Sequence, residues 1–237
     1  MLSLHSKLLK SNWQTLIVLD ACRYDTFCDV ISDYDIAGKL TKADSQAYRT
    51  SLWYREHWSE YRDDTILITG HPMPWREKKN KNFFKSTMVD GPNFDWIKPN
   101  RTLELAIKTQ KQFSDKKYLL HLLPPHLPFM GSVGRKFMAE LLKNEKTALQ
   151  IDGAINGTII YKQAKAYGKK NGWGRLRKCY KENLRYAIKH TLKYLSLLAS
   201  PIVITADHGE LLGEHNVYGH NGHWKILKQV PWLEVLT

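Results

Sequence analysis

The feature that most constrains the fold is a short, unbroken apolar run that ends on a carboxylate. Residues 15–20 read Thr-Leu-Ile-Val-Leu-Asp. A run of this length without polar alternation predicts a strand that is buried on both faces of a parallel sheet. Because ligands bind at the carboxyl ends of such strands, the sequence predicts that Asp20 has a functional role.

Three further segments have the same character and end at turn signals or polar residues. They span residues 65–69, 118–123 and 201–206, and the last leads directly into Asp207-His208. Helical patterns over about 102–113 and 176–198 precede two of these strands. This alternation predicts an α/β fold with a mostly parallel central sheet and helices on both faces.

The length of the chain favours one large domain over two small ones. At 237 residues it is long enough to bury a full core, so we expect a single domain over 1–237. Two stretches near 71–100 and 131–175 are polar and weakly periodic. They are predicted to be loops, short helices or insertions that select the substrate.

The charge of the chain favours anionic partners. The sequence has 36 Lys plus Arg against 23 Asp plus Glu, a formal net charge of +13, and the resulting positive field attracts anions. Nucleic acid is one such partner. However, the basic residues are spread along the chain without the aromatic pattern of RNA-binding modules, so a solvated basic face is the favoured interpretation. Anionic lipid and charged small substrates stay open as partners, and nucleic acid is not favoured.

The cysteines and the N-terminus predict the compartment. Cys22, Cys28 and Cys179 form no Cys-x-x-Cys pair, which suits a reducing environment. The sequence shows neither a signal peptide nor an apolar segment approaching the ~20 residues of a membrane span. These observations predict a cytoplasmic protein without a membrane span.

Carboxylates and an imidazole follow two of the predicted strands. Asp20 and Asp207-His208 would meet at the same edge of the sheet, and oxygen and neutral imidazole ligands suit a divalent cation such as magnesium, manganese, calcium or zinc. Each element alone is weak, because an isolated Asp at a strand end is more often a helix N-cap. The combination predicts a metal site.

Several motifs, in the same order along the chain, resemble the sulfatase-like branch of the alkaline phosphatase superfamily. Asp20-Ala-Cys-Arg23-Tyr-Asp25 is similar to the opening Asp-x-x-Arg-x-Asp motif of that branch. Asp207-His-Gly-Glu, with the later Tyr218-Gly-His220 and Val230-Pro-Trp, is similar to a segment of sulfatases and lipoteichoic acid synthases. Pro125-His126-Leu-Pro-Phe resembles their His-x-Pro-Tyr or His-x-Pro-Phe loop. The resemblance implies an alkaline phosphatase-like fold and a metal-dependent hydrolase or transferase that acts on phosphate or sulfate esters.

The resemblance also implies a nucleophile that binds the metal. In this family a Thr, Ser or modified Cys follows the first Asp by some tens of residues. Thr50 is our choice, with Ser45 and Ser51 as alternatives, and a metal-bound hydroxyl loses its proton more readily than a free one. The implied ligands of a single cation are Asp20, Thr50, Asp207 and His208. Without a metal, Thr50 would be an ordinary cap or loop residue.

Histidines and an arginine complete the implied site. We expect the catalytic set to be Thr50, His126 and His223, with Arg23 and His220 binding substrate. His126 would act as an acid or substrate group, and the sequence does not rank His220 against His223. Arg23 has two interpretations, a bidentate hold on substrate oxygens or a pair with Asp25.

One departure from the family bears on the substrate. Formylglycine sulfatases carry Cys-x-Pro-x-Arg or its Ser variant, and this chain has no such motif. Cys22 is expected to serve in packing. The sequence therefore favours a phosphate or phosphodiester enzyme with an unmodified Thr. No Asp-x-x-x-His for a second metal is evident. An inactive member of the fold that binds anions or nucleic acid is the alternative.

Overall fold

The structure is a computed structural model that describes residues 2–90, 98–142 and 157–236. The predicted insertions near 71–100 and 131–175 therefore lie partly outside the described residues, at 91–97 and 143–156.

A seven-stranded sheet forms the centre of the molecule, in the order β2-β9-β6-β1-β5-β3-β4. Strand β9 runs antiparallel to its neighbours β2 and β6, and the other neighbouring pairs are parallel. Strands β7 and β8 form a separate two-stranded antiparallel ladder. The strands are β1 Thr15–Leu19, β2 Gly38–Asp44, β3 Arg62–Thr69, β4 Phe83–Met88, β5 Lys117–Leu122, β6 Ile202–Ala206, β7 Leu211–Leu212, β8 Tyr218–Gly219 and β9 Gln229–Val235.

Helices surround this sheet. Every residue of β1 and β6 is buried, which requires cover on both faces of the sheet. The predicted α/β class with a mostly parallel sheet is confirmed. The helices are α1 Leu4–Lys10, α2 Tyr24–Ile31, α3 Thr50–His57, α4 Met73–Arg76, α5 Pro99–Gln110, α6 Ser132–Leu142, α7 Gly157–Asn171, α8 Gly174–Leu192 and α9 Lys225–Lys228.

The predicted buried strands agree with the structure to within a few residues. The run over 15–20 forms β1, and Asp20 follows its last residue. The run over 65–69 forms the end of β3, which starts three residues earlier, at Arg62. The helix predicted over 176–198 ends at Leu192, and a short 3₁₀ turn follows over Leu195–Leu197.

The stretch near 131–175 is more regular than the sequence indicated. It contains α6, with 11 residues, and α7, with 15 residues, where loops or short helices were predicted. These helices pack with α8 around an apolar cluster that is separate from the core of the sheet. This cluster includes Phe129, Phe137, Ile160, Ala164, Leu176, Tyr180 and Tyr218.

Within the described ranges, no helix is both long enough and apolar enough to cross a membrane.

Candidate active site

A tight turn after β1 presents Asp20. The carboxylate is 1% exposed, and the next residue, Ala21, has φ of 58°, a conformation that L-residues rarely adopt. The hydroxyl of Tyr180 on α8 fixes this turn. It donates to the Ala21 carbonyl at 2.6 Å and accepts from the Arg23 amide at 3.0 Å. The position of Asp20 is therefore set by a bonded turn.

Asp207 lies beside Asp20 because β6 pairs in parallel with β1. Leu19 is opposite Ala206 in the register, so the residues after both strands are neighbours. Asp207 Oδ1 accepts from the Ala21 amide at 3.0 Å and from the His208 amide at 2.8 Å. This leaves Asp207 Oδ2 directed away from the backbone.

Thr50 joins the two aspartates at the start of α3. Its Oγ1 lies 3.3 Å from Asp20 Oδ1 and 3.2 Å from His208 Nε2. Ligand atoms of Asp20, Asp207 and His208 all lie within 4.8 Å of one another. The four predicted ligands thus meet in space, and we call them the cradle.

The donor set of the cradle fits a divalent cation. His208 Nδ1 is 2.7 Å from the Gly209 carbonyl. A hydrogen on Nδ1 that donates there leaves the Nε2 lone pair toward the cradle, as metal-binding histidines require. Asp207 Oδ2 is buried without a hydrogen-bond partner among the described residues, and a cation would supply the missing partner. Asp20 Oδ2 has His71 Nε2 at 3.3 Å.

The direction of the pKa shifts in the cradle also fits a bound divalent cation. Burial lowers the pKa of His208 well below its ordinary value, so the imidazole is neutral. Burial, together with repulsion from Asp20, raises the pKa of Asp207. Burial also acts to raise the pKa of Asp20, but His126 and His71 outweigh it and hold that pKa low. A bound cation would displace the proton that Asp207 otherwise keeps.

Two buried histidines lie behind the aspartates, and the sequence analysis missed both. His71, just after β3, has Nε2 at 3.3 Å from Asp20 Oδ2. His121, within β5, has Nε2 at 3.8 Å from Asp207 Oδ2. Their rings stack at 5.3 Å between centroids. His71 comes one residue after the apolar run that ends at Thr69, so the signal that singled out Asp20 could have found it. His121 interrupts an apolar run, and a polar residue inside a buried strand is the signal that could have found it.

A second group of ligand-type side chains adjoins the cradle. His126, Glu210 and His220 have ligand atoms within 4.8 Å of one another. His220 Nδ1 is 3.3 Å from Glu210 Oε1, and its ring centroid is 4.6 Å from that of His208. Although burial opposes it, Glu210 raises the pKa of His220 to about 9. Glu210 was not among the predicted site residues, although it lies in the Asp-His-Gly-Glu segment.

Tyr161 brings α7 into contact with this second group. Its hydroxyl donates to Glu210 Oε1 at 3.1 Å, and its ring lies against those of His126 and His220, at 6.1 Å in each case. The absence of a side chain at Gly219 provides the space for Tyr161, because a Cβ at Gly219 would lie 1.8 Å from the Tyr161 hydroxyl oxygen. Nothing in the local sequence marks Tyr161, since only the folded chain places it there.

Two further predicted site residues make their described contacts outside the cradle. His223 is exposed, and its ring contacts Tyr48 at 4.7 Å, away from the described contacts of the cradle. Arg23 is buried, with Nε donating to Asp25 at 2.9 Å and Nη1 donating to Glu214 at 2.7 Å. Of the two interpretations of Arg23, the structure shows the local carboxylate pair.

The alternative nucleophiles also differ in position from Thr50. The Ser45 hydroxyl is buried and donates to the Asp207 carbonyl, so it is already engaged. Ser51 follows Thr50 in α3 and has no described bond to the cradle. Thr50 is the hydroxyl that faces the cradle, and its role as nucleophile stays a prediction.

Comparison with known proteins rests on structure. No protein-family model and no curated protein sequence matches the chain. The C-terminal periplasmic domain of phosphoethanolamine transferase EptC from Campylobacter jejuni superimposes with a TM-score of 0.55 at 15% identity, covering 92% of this chain and 77% of that one. The phosphonate monoester hydrolase of Agrobacterium radiobacter gives 0.51 at 13% identity, covering 92% and 67%. Both neighbours belong to the alkaline phosphatase-like superfamily. The chain has the alkaline phosphatase-like fold.

The alkaline phosphatase-like fold bears out the resemblance read from the motifs, as far as architecture is concerned. A third neighbour, the C-terminal periplasmic domain of EptC from Escherichia coli, superimposes with a TM-score of 0.52 at 12% identity, covering 94% of this chain and 72% of that one. At such identities the comparison establishes the fold alone.

The predicted cytoplasmic location is contradicted by these neighbours. Both EptC structures with the alkaline phosphatase-like fold are periplasmic domains. The cysteine argument failed for a physical reason. Cys22 and Cys179 are buried, and burial raises the pKa of both thiols, so they are unreactive whatever the compartment.

Proposed function

We propose that this chain is a metal-dependent hydrolase or transferase that acts on phosphate or sulfate esters, with Thr50 as nucleophile. The observation that carries the proposal is the meeting of Thr50 Oγ1 with Asp20 and His208, at 3.3 and 3.2 Å, beside the buried Asp207 Oδ2, which lacks a hydrogen-bond partner among the described residues. The neighbours named as a phosphoethanolamine transferase and a phosphonate monoester hydrolase support this class of ester.

One divalent cation, magnesium, manganese, calcium or zinc, would be held by Asp20, Thr50, Asp207 and His208. When bound, it would lower the pKa of the Thr50 hydroxyl and polarise an ester oxygen. The hard oxygen ligands and the single imidazole admit each of these ions.

In the proposed reaction, Thr50 Oγ1 forms a bond to phosphorus or sulfur while the bond to the leaving oxygen breaks. The Thr50 hydroxyl is directed at Asp20 Oδ1, but Asp20 stays a carboxylate as a ligand of the cation, so the Thr50 proton passes to solvent water. His220 is protonated at neutral pH because its pKa is about 9, and it or His126 gives a proton to the leaving oxygen. Water or an acceptor alcohol then attacks the Thr50 ester, and Thr50 recovers its hydroxyl.

Within this ester class, phosphorus is favoured over sulfur. The chain lacks the formylglycine motif, and Cys22 is fully buried, so neither an oxidised cysteine nor a free thiolate is offered as nucleophile. His220 takes the role first given to His223, because His220 is the one beside the cradle. The proposed substrate is accordingly an anionic phosphate ester. Nucleic acid is not favoured, because the basic residues lack the aromatic pattern of RNA-binding modules.

The decisive experiment compares Thr50→Ala and Asp207→Ala with the parent chain. Turnover of generic phosphodiester, phosphomonoester and sulfate esters is measured with each cation added. We expect both variants to lose on the order of 10³-fold or more in kcat, because they remove the nucleophile and a metal ligand. The matched control is Ser51→Ala, which removes the next hydroxyl of the same helix and should change kcat less than about threefold.

Undiminished turnover in Thr50→Ala or Asp207→Ala would contradict the proposal. Elemental analysis should find one cation per chain, lost in Asp207→Ala. Intact-mass spectrometry after brief reaction should find an added phosphoryl or sulfuryl group that is missing from Thr50→Ala. A chain that binds the cation but never gains this mass would support the alternative of an inactive, anion-binding member of the fold.

A further inference from the structure

A buried chain of side chains connects the nucleophile helix to the cradle from behind. Tyr54 lies one turn after Thr50 in α3, and its hydroxyl is 2.8 Å from His121 Nδ1. On the other side of the ring, His121 Nε2 is 3.8 Å from Asp207 Oδ2. Tyr54, His121 and Asp207 are all 0% exposed.

The hydrogen positions in this chain follow from two alternatives. If the Tyr54 hydroxyl donates to His121 Nδ1, the neutral ring carries its hydrogen on Nε2 and presents it to Asp207. If Nδ1 donates to Tyr54 instead, the Nε2 lone pair faces a carboxylate oxygen. In that case two acceptors confront each other. The first arrangement is favoured whenever Asp207 is ionised.

Because the site is buried, the tautomer of His121 affects stability. His121 Nε2 and Asp207 Oδ2 are both buried and lack another hydrogen-bond partner among the described residues. An unpaired buried polar atom costs stability. The two atoms are 3.8 Å apart, which is too long for a hydrogen bond, and a shift of roughly 0.7 Å would pair them. A carboxylate oxygen has lone pairs enough to accept from Nε2–H and to bind a cation as well.

We infer that His121, fixed by Tyr54, is a positioning residue that donates Nε2–H to Asp207 Oδ2 and so orients this carboxylate for the cation. The inference rests on the proposed function, because it takes Asp207 as a metal ligand. Outer-sphere hydrogen bonds of this kind hold a ligand in place and increase metal affinity. His121 itself touches neither substrate nor reacting atoms.

Two variants of His121 separate hydrogen bonding from packing. In His121→Gln the side-chain amide reaches as far as Nε2 did and can still donate to Asp207. In His121→Asn the amide reaches only as far as Nδ1. Both lose the imidazole ring, and the Asn variant also leaves a larger cavity, so unfolding in urea is measured for both to separate packing from hydrogen bonding. Zn²⁺ binding by calorimetry should be weakened about 10- to 100-fold in the Asn variant and less than about threefold in the Gln variant.

Equal Zn²⁺ affinities in the two His121 variants would overturn the inference. Tyr54→Phe covers the case in which His121→Asn does not fold, because it keeps the ring of Tyr54 and removes only the hydroxyl. It should weaken Zn²⁺ binding several-fold. An unchanged affinity would count against the proposal that Tyr54 fixes His121 beside Asp207.

The tautomer of His121 gives a readout that is independent of activity. Long-range ¹H–¹⁵N NMR of the Zn²⁺-loaded chain should show the hydrogen on Nε2, and Tyr54→Phe should shift it toward Nδ1. Hydrogen on Nδ1 in the parent chain would overturn the inference. If the parent chain binds no cation, the proposed function fails and the positioning role of His121 fails with it, whereas a chain that binds Zn²⁺ with the hydrogen on Nδ1 overturns the inference alone.

Discussion

His57, at the end of α3, is a buried histidine that lies outside the proposed catalytic machinery. Its Nε2 is 3.1 Å from the Ser45 carbonyl, and its Nδ1 is 3.2 Å from Nδ1 of His5. Burial lowers the pKa of His57 to about 4, below the ordinary value of 6.5 that the unfolded chain retains. The unfolded state therefore takes up a proton first as the pH falls.

This pKa difference predicts a pH-dependent loss of stability. The contribution of neutral His57 is fully present above pH 6.5 and is lost as the pH falls from 6.5 toward 4, by roughly 3 kcal/mol. His57→Gln keeps a donor for the Ser45 carbonyl but has no titrating group. Between pH 7 and pH 4, its free energy of unfolding in urea should fall by roughly 3 kcal/mol less than that of the parent chain.

Exposed His215 provides the control for this measurement. In His215→Gln, stability should follow the pH dependence of the parent chain. If His57→Gln also follows it, the pKa of His57 is not lowered in the folded state.

Single residues of the site were predictable to different degrees. Asp20, Asp207 and His208 follow apolar runs directly, so the sequence alone predicted that they lie at one edge of the sheet. Thr50 came from the family resemblance, because nothing in its local sequence distinguishes it from Ser51. Tyr161 could not be predicted, since its contact with the site depends on how α7 packs.

Among the structural elements, the loop that carries Asp207 and His208 is held closely against α9. The Gly209 amide donates to the Leu227 carbonyl at 2.7 Å. A Cβ at Gly209 would lie 2.5 Å from the carbonyl oxygen of Ile226, a separation that real Cβ atoms do not adopt. This contact is with backbone, so it cannot be relieved by a side-chain rotation.

Gly209→Ala should therefore push the loop away from α9. We expect a loss of about 1–3 kcal/mol in the free energy of unfolding, as for other overpacked sites, together with weaker cation binding. Gly174→Ala is the control, because a Cβ there meets no heavy atom within 4 Å, and its stability should change by less than about 1 kcal/mol. Equal effects of the two variants would show that the contact with Ile226 is easily relieved.

Edge strands and central strands differed in how well the sequence predicted them. The central strands β1 and β6 are buried along their whole length, which requires an unbroken apolar run. Strands β2 and β4 are largely exposed or half-buried, so polar residues are tolerated and the apolar pattern is lost. The long helix α7 was missed because its own sequence is polar, with four lysines among its 15 residues.

At the scale of the whole molecule, folding brings two carboxylates together in a buried site. This arrangement costs stability without a counter-charge and gains stability with one. The interpretation of residues 1–237 as a single catalytic domain stays a prediction.

Cation binding should accordingly raise the stability of the parent chain. At a cation concentration of 100 times Kd, the gain is about 2.7 kcal/mol, and it should disappear with a chelator. Asp207→Asn should be at least as stable as the metal-free parent chain, because an amide does not ionise beside Asp20, whereas the raised pKa of Asp207 means that its carboxyl must stay protonated there, and the variant should gain little from the cation. Thermal unfolding with and without chelator measures both effects.

A cation that stabilises Asp207→Asn as much as the parent chain would place the binding site elsewhere. Glu60→Gln provides a control for general charge effects, because Glu60 is exposed. Its response to the cation should equal that of the parent chain.

The order of the strands has a consequence for synthesis on the ribosome. Strand β2, near the start of the chain, pairs within the sheet with β9, which is the last strand described. Residues 38–44 therefore emerge nearly two hundred residues before their partner at 229–235. Until then the nascent chain exposes an unpaired strand edge, and His208 and His220 have not emerged for most of that time. The active centre can be completed only after residues 207–220 have emerged, so a chaperone that shields β2 until then would promote correct assembly.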